Sequence, residues 1–184
     1  MENRNGLGPA GLYIHIPFCL RKCPYCDFYS ITDVAGMDAY LAALKKEMRS
    51  VEKPAVRFGS IHIGGGTPSL LEPDHIDDIL SRALSCFSFE KDVEIAVEVN
   101  PGAVGSEFLE AFLGAGGNRV NIGVQSFSDA NLKFLGRIHS SHDAIAAIQS
   151  IRRAGFNHLG IDLIYGIPGQ SKESWLFDLH KAME

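Results

Sequence analysis

Short apolar runs alternate with stretches of helical spacing along the whole chain. The apolar runs cover residues 12–16, 58–63, 93–99, 119–124 and 158–164. Between them, apolar residues recur at intervals of three and four within residues 37–48, 76–84, 108–113 and 145–151. Glycine follows two of these helical stretches, at 114–117 and 155, and Pro73 opens another. This alternation predicts five strand-then-helix units and a parallel sheet with helices packed against it.

Within each predicted strand the side chains separate into an aliphatic set and a polar set. Because successive residues of a strand point to opposite faces, each strand has one aliphatic face for the helices to cover. If the sheet curls into a barrel, the other face lines its interior. Simple eight-stranded barrels fill that space with branched aliphatics, so a polar lining predicts a bound polar ligand. The alternative is an open sheet with one wet face. The polar set includes Tyr13, His15, His62, Glu94, Glu98, Asn121, Gln125 and Asp162.

Glycine and proline mark the carboxyl ends of four predicted strands. The segments are GGGTPS at 64–69, NPG at 100–102, GVQSFS at 123–128 and YGIPGQ at 165–170. In parallel α/β folds, ligands bind at this edge of the sheet. The sequence therefore predicts a site at the carboxyl ends of the strands.

Composition narrows the class of protein. The chain has 184 residues, of which 46% are hydrophobic and 21% charged, with a net charge of −5. These values are typical of a globular protein and argue against a nucleic-acid scaffold. The first residues have no signal-peptide core and no run is long enough to span a membrane, so we expect a cytoplasmic location.

Three of the four cysteines, Cys19, Cys23 and Cys26, lie in eight positions that follow the first predicted strand. A structural zinc site needs a fourth ligand. The nearest candidate is His15, but its strand position directs it to the polar face. Three thiolates can instead hold a 4Fe–4S cluster with one iron left open for a further ligand. The fourth cysteine, Cys86, is expected to be a small core residue.

The segment CLRKCPYC resembles the cluster motif of the radical S-adenosylmethionine superfamily. The longer string LYIHIPFCxxKCPYCDF, with GGGTPS, EVNP, GVQSF, LGRIH and DLIYGIPGQ, resembles the anaerobic coproporphyrinogen III oxidase group of that superfamily. The resemblance implies a partial (β/α)6-type barrel, of which about five β/α units are present. It divides the chain into an extension, residues 1–11, and a core domain, residues 12–184, that we expect to be incomplete at its C-terminal end.

The resemblance also implies the cofactors and their ligands. In that superfamily Cys19, Cys23 and Cys26 would bind the 4Fe–4S cluster. The open iron would bind the amino and carboxylate groups of S-adenosylmethionine. An electron passed to the sulfonium would yield methionine and a 5′-deoxyadenosyl radical. The remaining motif positions would contact S-adenosylmethionine, with the last three of them around a second molecule of it: Tyr13, Tyr25, Gly65, Gly66, Thr67, Glu98, Gln125, Arg137 and Asp162.

Two features favour one branch of the group, the haem chaperones, over the oxidases. Phe28 stands where the oxidases have a further cysteine, and the first strand begins by residue 12, without the longer oxidase extension. Three hypotheses remain: a haem chaperone that delivers haem to an acceptor protein, an oxidoreductase that converts porphyrinogen propionates to vinyls, and a structural zinc module. The first two also imply an unidentified electron donor. His139 and His142 are the candidates for haem ligands.

Overall fold

The computed structural model describes residues 10–51 and 56–184. These residues form five strands and six α-helices, with one helix after each strand except β4, which is followed by two. The strands are β1 (Ala10–Ile16), β2 (Phe58–Gly65), β3 (Phe89–Val99), β4 (Arg119–Gln125) and β5 (His158–Leu163). The helices are α1 (Met37–Ser50), α2 (Pro73–Cys86), α3 (Ser106–Gly114), α4 (Asp129–Phe134), α5 (Ser141–Arg153) and α6 (Lys172–Met183).

The five strands lie side by side in chain order, and every neighbouring pair is parallel. Within the described residues, the sheet is unclosed, with β1 at one edge and β5 at the other. The predicted parallel α/β fold with five β/α units is thus confirmed. β3 begins four residues earlier than predicted, and β1 begins at Ala10. Most of the predicted N-terminal extension, residues 1–9, lies outside the described residues.

The aliphatic faces of the strands form the core with the helices, as predicted. Ile16, Ile61, Val97 and Ile122 are buried on this face, and Leu159 packs against the same cluster. Burial of each large aliphatic side chain contributes roughly 1.5–3 kcal/mol, which fixes the sheet face against the helices. The opposite face therefore carries the polar set.

Three helices end in the same way, with a glycine in the left-handed region. Gly116, Gly136 and Gly155 have φ of 97°, 70° and 103°. In each case the residue after the glycine donates its N–H to a carbonyl five residues earlier, as in a Schellman motif. The turn at Gly116 leads from α3 into β4, and the turn at Gly155 leads from α5 into β5. The turn at Gly136 ends α4 and is followed directly by Arg137.

No helix in the described part of the chain is both long and apolar enough to cross a membrane. Cys86 is partly buried and packs against the core, which agrees with the prediction for it.

Candidate functional site

The segment that contains the three cysteines is a loop whose two ends are tied together. Directly after β1, Phe18 and Ile31 form a parallel bridge. Cys19 donates its N–H to the Ile31 carbonyl at 2.9 Å, and Ile31 donates to the Pro17 carbonyl at 2.8 Å. We call residues 19–30 the cysteine loop. Because its base is fixed to the end of β1, the loop stands at the carboxyl edge of the sheet, where the sequence predicted the site.

Two of the three cysteine sulfurs accept hydrogen bonds from other parts of the chain. The Cys19 side chain is only 8% exposed, and the Thr67 hydroxyl lies 3.5 Å from its Sγ. The Arg137 Nη1 lies 3.6 Å from the Cys23 Sγ. Cys26 is held in a tight turn by its N–H bond to the Cys23 carbonyl, at 3.0 Å. All three thiols are free. Donors aimed at sulfur stabilise thiolates, so this set of residues fits a metal–sulfur cluster.

A single metal ion and a 4Fe–4S cluster require different arrangements of their ligands. Among the described residues, no group of three or more His, Cys, Asp and Glu side chains converges on a single metal ion. A closed zinc site needs four such ligands about 2.3 Å from one ion. In a cluster each thiolate binds a different iron, so the three sulfurs face one cluster but lie farther apart than the ligands of a single ion.

The glycine segment after β2 lies directly against the base of the cysteine loop. Gly66 donates its N–H to the Ile16 carbonyl at 2.8 Å, and a Cβ added to Gly66 would lie 2.6 Å from the Phe18 carbonyl oxygen. Gly65 has a φ of 114°, where only glycine is unstrained. Thr67, which follows Gly66, is buried beside Cys19. The segment therefore joins the cysteine loop to the polar face of the sheet.

Glu98 stands at the centre of that polar face and is held from two sides. One carboxylate oxygen lies 2.8 Å from the His62 Nε2, and the other accepts the Gly65 N–H at 3.2 Å. The His62 ring in turn stacks on Tyr13, with ring centroids 5.6 Å apart and planes within 10°. Desolvation and the nearby Glu98 charge raise the pKa of Tyr13. The Glu98 carboxylate therefore has a fixed orientation on the polar face.

Gly64 determines where the Glu98 carboxylate can lie. A Cβ added to Gly64 would come within 2.8 Å of all three carboxyl atoms of Glu98. If Glu98 binds S-adenosylmethionine, as the resemblance implies, Gly64→Ala should displace this carboxylate and weaken that binding about tenfold, since a charge-assisted hydrogen bond would be lost. The free energy of unfolding should change little because the displaced group is the end of a flexible side chain. Equilibrium dialysis with labelled S-adenosylmethionine measures the affinity.

Gly105→Ala is the matched control for that substitution. No atom lies within 4 Å of a Cβ added to Gly105, so this variant should bind the cofactor as the parent chain does. Equal affinities for the Gly64→Ala variant and the parent chain would show that the Glu98 carboxylate does not contact the cofactor.

Tyr25 and Arg137 meet on the other side of the cysteine loop. The Arg137 Nη1 lies 3.3 Å from the Tyr25 hydroxyl, and its Nη2 donates to the Gly123 carbonyl at 3.0 Å. Partial burial raises the pKa of Tyr25 to about 12; the Arg137 charge opposes this shift, and Cys23 adds to it. Tyr25 is therefore a neutral phenol at neutral pH and can donate a hydrogen bond as well as accept one.

The three residues expected around a second S-adenosylmethionine lie near Gly123 at the end of β4. A Cβ on Gly123 would meet the Gln125 Nε2 at 2.9 Å and the Arg137 Nη2 at 3.8 Å. Asp162 is paired with Gly123 across the sheet. Desolvation and the Glu98 charge raise the pKa of Asp162, and His62 opposes the shift. Among the described residues, Gln125 is the only non-glycine residue with positive φ, at 71°.

The four histidines considered in the sequence lie in three different surroundings. His15 lies 2.9 Å from the Tyr29 carbonyl and His62 contacts Glu98, as expected of hydrogen-bonding residues on the polar face. His139 is buried with its Nε2 3.1 Å from the Val124 carbonyl, and burial lowers its pKa to about 4. His142 lies in the first turn of α5. Among the described residues, the hydrogen bonds to the sulfurs of the cysteine loop come from Thr67 and Arg137, and none comes from His139 or His142.

The pairing of His62 with Glu98 was not predicted from the sequence. Both residues were assigned to the polar face, but the register was unknown. In the structure His62 is aligned with Ala96, so Glu98 lies two residues further along the neighbouring strand. Diagonal neighbours at this distance are within reach of long side chains. The sequence therefore predicted that His62 and Glu98 lie on the same face of the sheet, but not the β2–β3 register that brings them into contact.

A protein family and several curated proteins are similar to this chain over most of its length. The family described as the Radical SAM superfamily matches residues 13–182. The heme chaperone HemW of Haemophilus influenzae is 38% identical over 97% of this chain and 49% of its own length. The oxygen-independent coproporphyrinogen III oxidase of Cereibacter sphaeroides is 34% identical over 96% of this chain and 40% of its own length. The chain thus spans about half the length of the curated relatives it matches, or less.

A solved structure shares the fold over most of the chain. Coproporphyrinogen III oxidase (HemN) from Escherichia coli, described as a radical SAM enzyme, superposes with a TM-score of 0.84 at 32% identity. The match covers 95% of this chain and 41% of that one. The family match, the parallel sheet and the position of the cysteine loop agree with one another. The chain belongs to the radical SAM superfamily.

Proposed function

We propose that this chain binds a 4Fe–4S cluster through Cys19, Cys23 and Cys26, with S-adenosylmethionine beside it on the polar face. The observation that carries the proposal is the tied cysteine loop, in which Thr67 and Arg137 direct hydrogen-bond donors at two of the sulfurs. The superfamily implies both cofactors. Together, when bound, they supply one-electron chemistry that generates a 5′-deoxyadenosyl radical.

The chain's own residues would hold and orient S-adenosylmethionine. Glu98 presents a carboxylate, fixed by His62 and the Gly65 N–H, that can accept a ribose hydroxyl or the cofactor ammonium. The glycine segment at Gly65 and Gly66 has no side chains that would block the methionine part, and Thr67 follows it. Tyr13 and Tyr25 would flank the cofactor from opposite sides of this pocket.

The further proposal is that the whole protein handles haem as a chaperone and passes it to an acceptor protein. A relative named heme chaperone HemW is more similar to this chain than the oxidase of Cereibacter sphaeroides, at 38% against 34% identity. Phe28 also supports this branch. It stands where the oxidases have another cysteine, and its phenyl ring cannot bind iron.

The cysteine loop also exposes large apolar side chains that a flat macrocycle could cover. Phe28 is 61% exposed and Tyr29 is 74% exposed, and Leu20 is exposed at the start of the loop. Clustered exposed apolar side chains are typical of surfaces that bind a partner or ligand. A porphyrin presents a broad apolar face of this kind, so the surface fits haem or a porphyrinogen.

The test compares haem transfer with propionate decarboxylation in the full-length protein. We expect stoichiometric haem binding, followed by transfer to an apo-haem acceptor, measured by the absorption spectrum of the acceptor. Coproporphyrinogen III, supplied without oxygen together with reductant and S-adenosylmethionine, should release little carbon dioxide. Hydrogen abstraction needs the propionate carbon held in attack geometry, and the described residues show no element assigned to that task. Sustained carbon dioxide release over many turnovers would establish the oxidase instead.

The oxidase is the second candidate because of one observation. Gln125, Arg137 and Asp162, the positions that resemble the oxidase's second S-adenosylmethionine site, all lie near Gly123. Two molecules of S-adenosylmethionine bound per cluster would favour this candidate. The oxidase activity would require an electron donor, because cleavage of S-adenosylmethionine to the radical consumes one electron.

A further inference from the structure

Arg137 is placed beside the cysteine loop by the way in which α4 ends. Gly136 donates its N–H to the Lys133 carbonyl at 3.1 Å, and Arg137 donates to the Leu132 carbonyl at 2.9 Å. This pair of bonds is a Schellman motif, and Gly136 supplies the positive φ that it requires, 70°. The turn reverses the chain and leaves the Arg137 side chain directed away from α4.

The same glycine lies in direct contact with the cysteine loop. A Cβ added to Gly136 would lie 2.9 Å from the Cδ of Pro24, which stands between Cys23 and Cys26. No larger residue would allow the turn to approach the loop so closely. The distance between Arg137 and Cys23 is therefore fixed by two features of Gly136, its conformation and its lack of a side chain.

Arg137 is half-buried, and no carboxylate of the described residues forms an ion pair with it. Its hydrogen bonds go instead to the Cys23 Sγ, the Tyr25 hydroxyl and the Gly123 carbonyl, at 3.6, 3.3 and 3.0 Å. A partly desolvated cation without a counter-ion is costly, so a negative charge at Cys23 would stabilise it.

We infer that Arg137 raises the reduction potential of the cluster by hydrogen bonding to the sulfur of Cys23. This inference rests on the proposed cluster. One-electron reduction adds a negative charge to the cluster, with the electron supplied by the reductant. A fixed positive charge at hydrogen-bond distance from a ligand sulfur stabilises the reduced form more than the oxidised form. Arg137 would then be a tuning residue that sets how readily the cluster accepts its electron.

The experiment is a potentiometric titration with dithionite, in which the electron-resonance signal of the reduced cluster is measured without S-adenosylmethionine. We expect Arg137→Met to bind as much iron as the parent chain but to be harder to reduce. A tenfold smaller equilibrium constant for reduction corresponds to a potential 59 mV more negative. Arg137→Lys retains the charge and should recover part of the shift.

Arg21→Met is the matched control, because Arg21 lines the same small cavity as Cys23 and Arg137 but is exposed. Its potential should match that of the parent chain. An unchanged potential in Arg137→Met, or an equal shift in Arg21→Met, would overturn the inference. If Arg137→Met loses iron, Arg137→Gln, which retains an N–H donor without the charge, is titrated instead: a potential below that of the parent chain supports the inference, and an unchanged potential overturns it. Iron absent from the parent chain would instead refute the proposed cluster, so the two failures are distinguishable.

Discussion

Replacing Cys19, Cys23 or Cys26 by alanine is expected to reduce the bound iron from about four atoms per chain to less than one. Each thiolate would hold a separate iron, and the remaining two ligands cannot retain the cluster against exchange with solvent. The cysteine loop contains no further thiolate to replace the lost one, since the residue two places after Cys26 is Phe28. The measurement is iron and acid-labile sulfide in protein reconstituted and purified without oxygen.

The control for these variants is Cys86→Ala. Cys86 ends α2 and packs against the core on the side of the sheet opposite to the polar face. Its loss should leave the iron content unchanged and reduce the stability only as a small core truncation does. Stoichiometric zinc without labile sulfide in the parent chain would instead favour the zinc module.

The faces of the strands were predictable because their cause is local. Alternation of side chains is a property of the extended backbone, so the aliphatic residues Ile61 and Ile63 could be assigned to the core and His62 to the polar face from the sequence alone. The structure agrees at each of these positions. Helix ends at Gly116 and Gly155 were predictable for the same reason, since a single residue supplies the required positive φ.

The contacts between distant segments were not predictable from local rules. Arg137 and Cys23 are separated by 114 positions, and the short helix α4 that brings them together, six residues long, was not predicted. A helix of this length shows too few turns for a periodic pattern. The positive φ of Gln125 also has no local signal, because glutamine rarely adopts it and the β4–β5 register shift accompanies it.

The candidate site was predicted in its composition but not in its internal hydrogen bonds. Motif resemblance indicated Glu98 and Arg137, and the position of Glu98 near the end of β3 placed it at the edge of the sheet where ligands bind. What the resemblance lacked was the partner of each group: His62 for Glu98, and the Cys23 sulfur for Arg137. A charged side chain with such a fixed partner has a defined orientation, whereas a surface charge without one does not.

Replacing Glu98 by glutamine is expected to weaken S-adenosylmethionine binding tenfold to a hundredfold while the iron content stays at the parent value. A lost charge-assisted hydrogen bond costs roughly 1.5–3 kcal/mol, which corresponds to that range of affinity. Glu98 contacts none of the cysteine sulfurs, and its hydrogen bonds go to His62 and the Gly65 N–H. Cofactor titration followed by the electron-resonance spectrum of the reduced cluster gives the affinity.

The double substitution of Glu98 and His62 distinguishes binding from positioning. His62 contacts Glu98, which would contact the cofactor, so His62→Leu should weaken cofactor binding less than Glu98→Gln does. His62→Gln retains a hydrogen-bond donor and should bind the cofactor more tightly than His62→Leu. If His62 acts only by orienting the carboxylate, the variant with both Glu98→Gln and His62→Leu should bind no worse than Glu98→Gln alone. Additive losses would mean that His62 contacts the cofactor itself. Full affinity in Glu98→Gln would remove Glu98 from the pocket, and the cofactor would then have to lie nearer to Arg137 and Gly123.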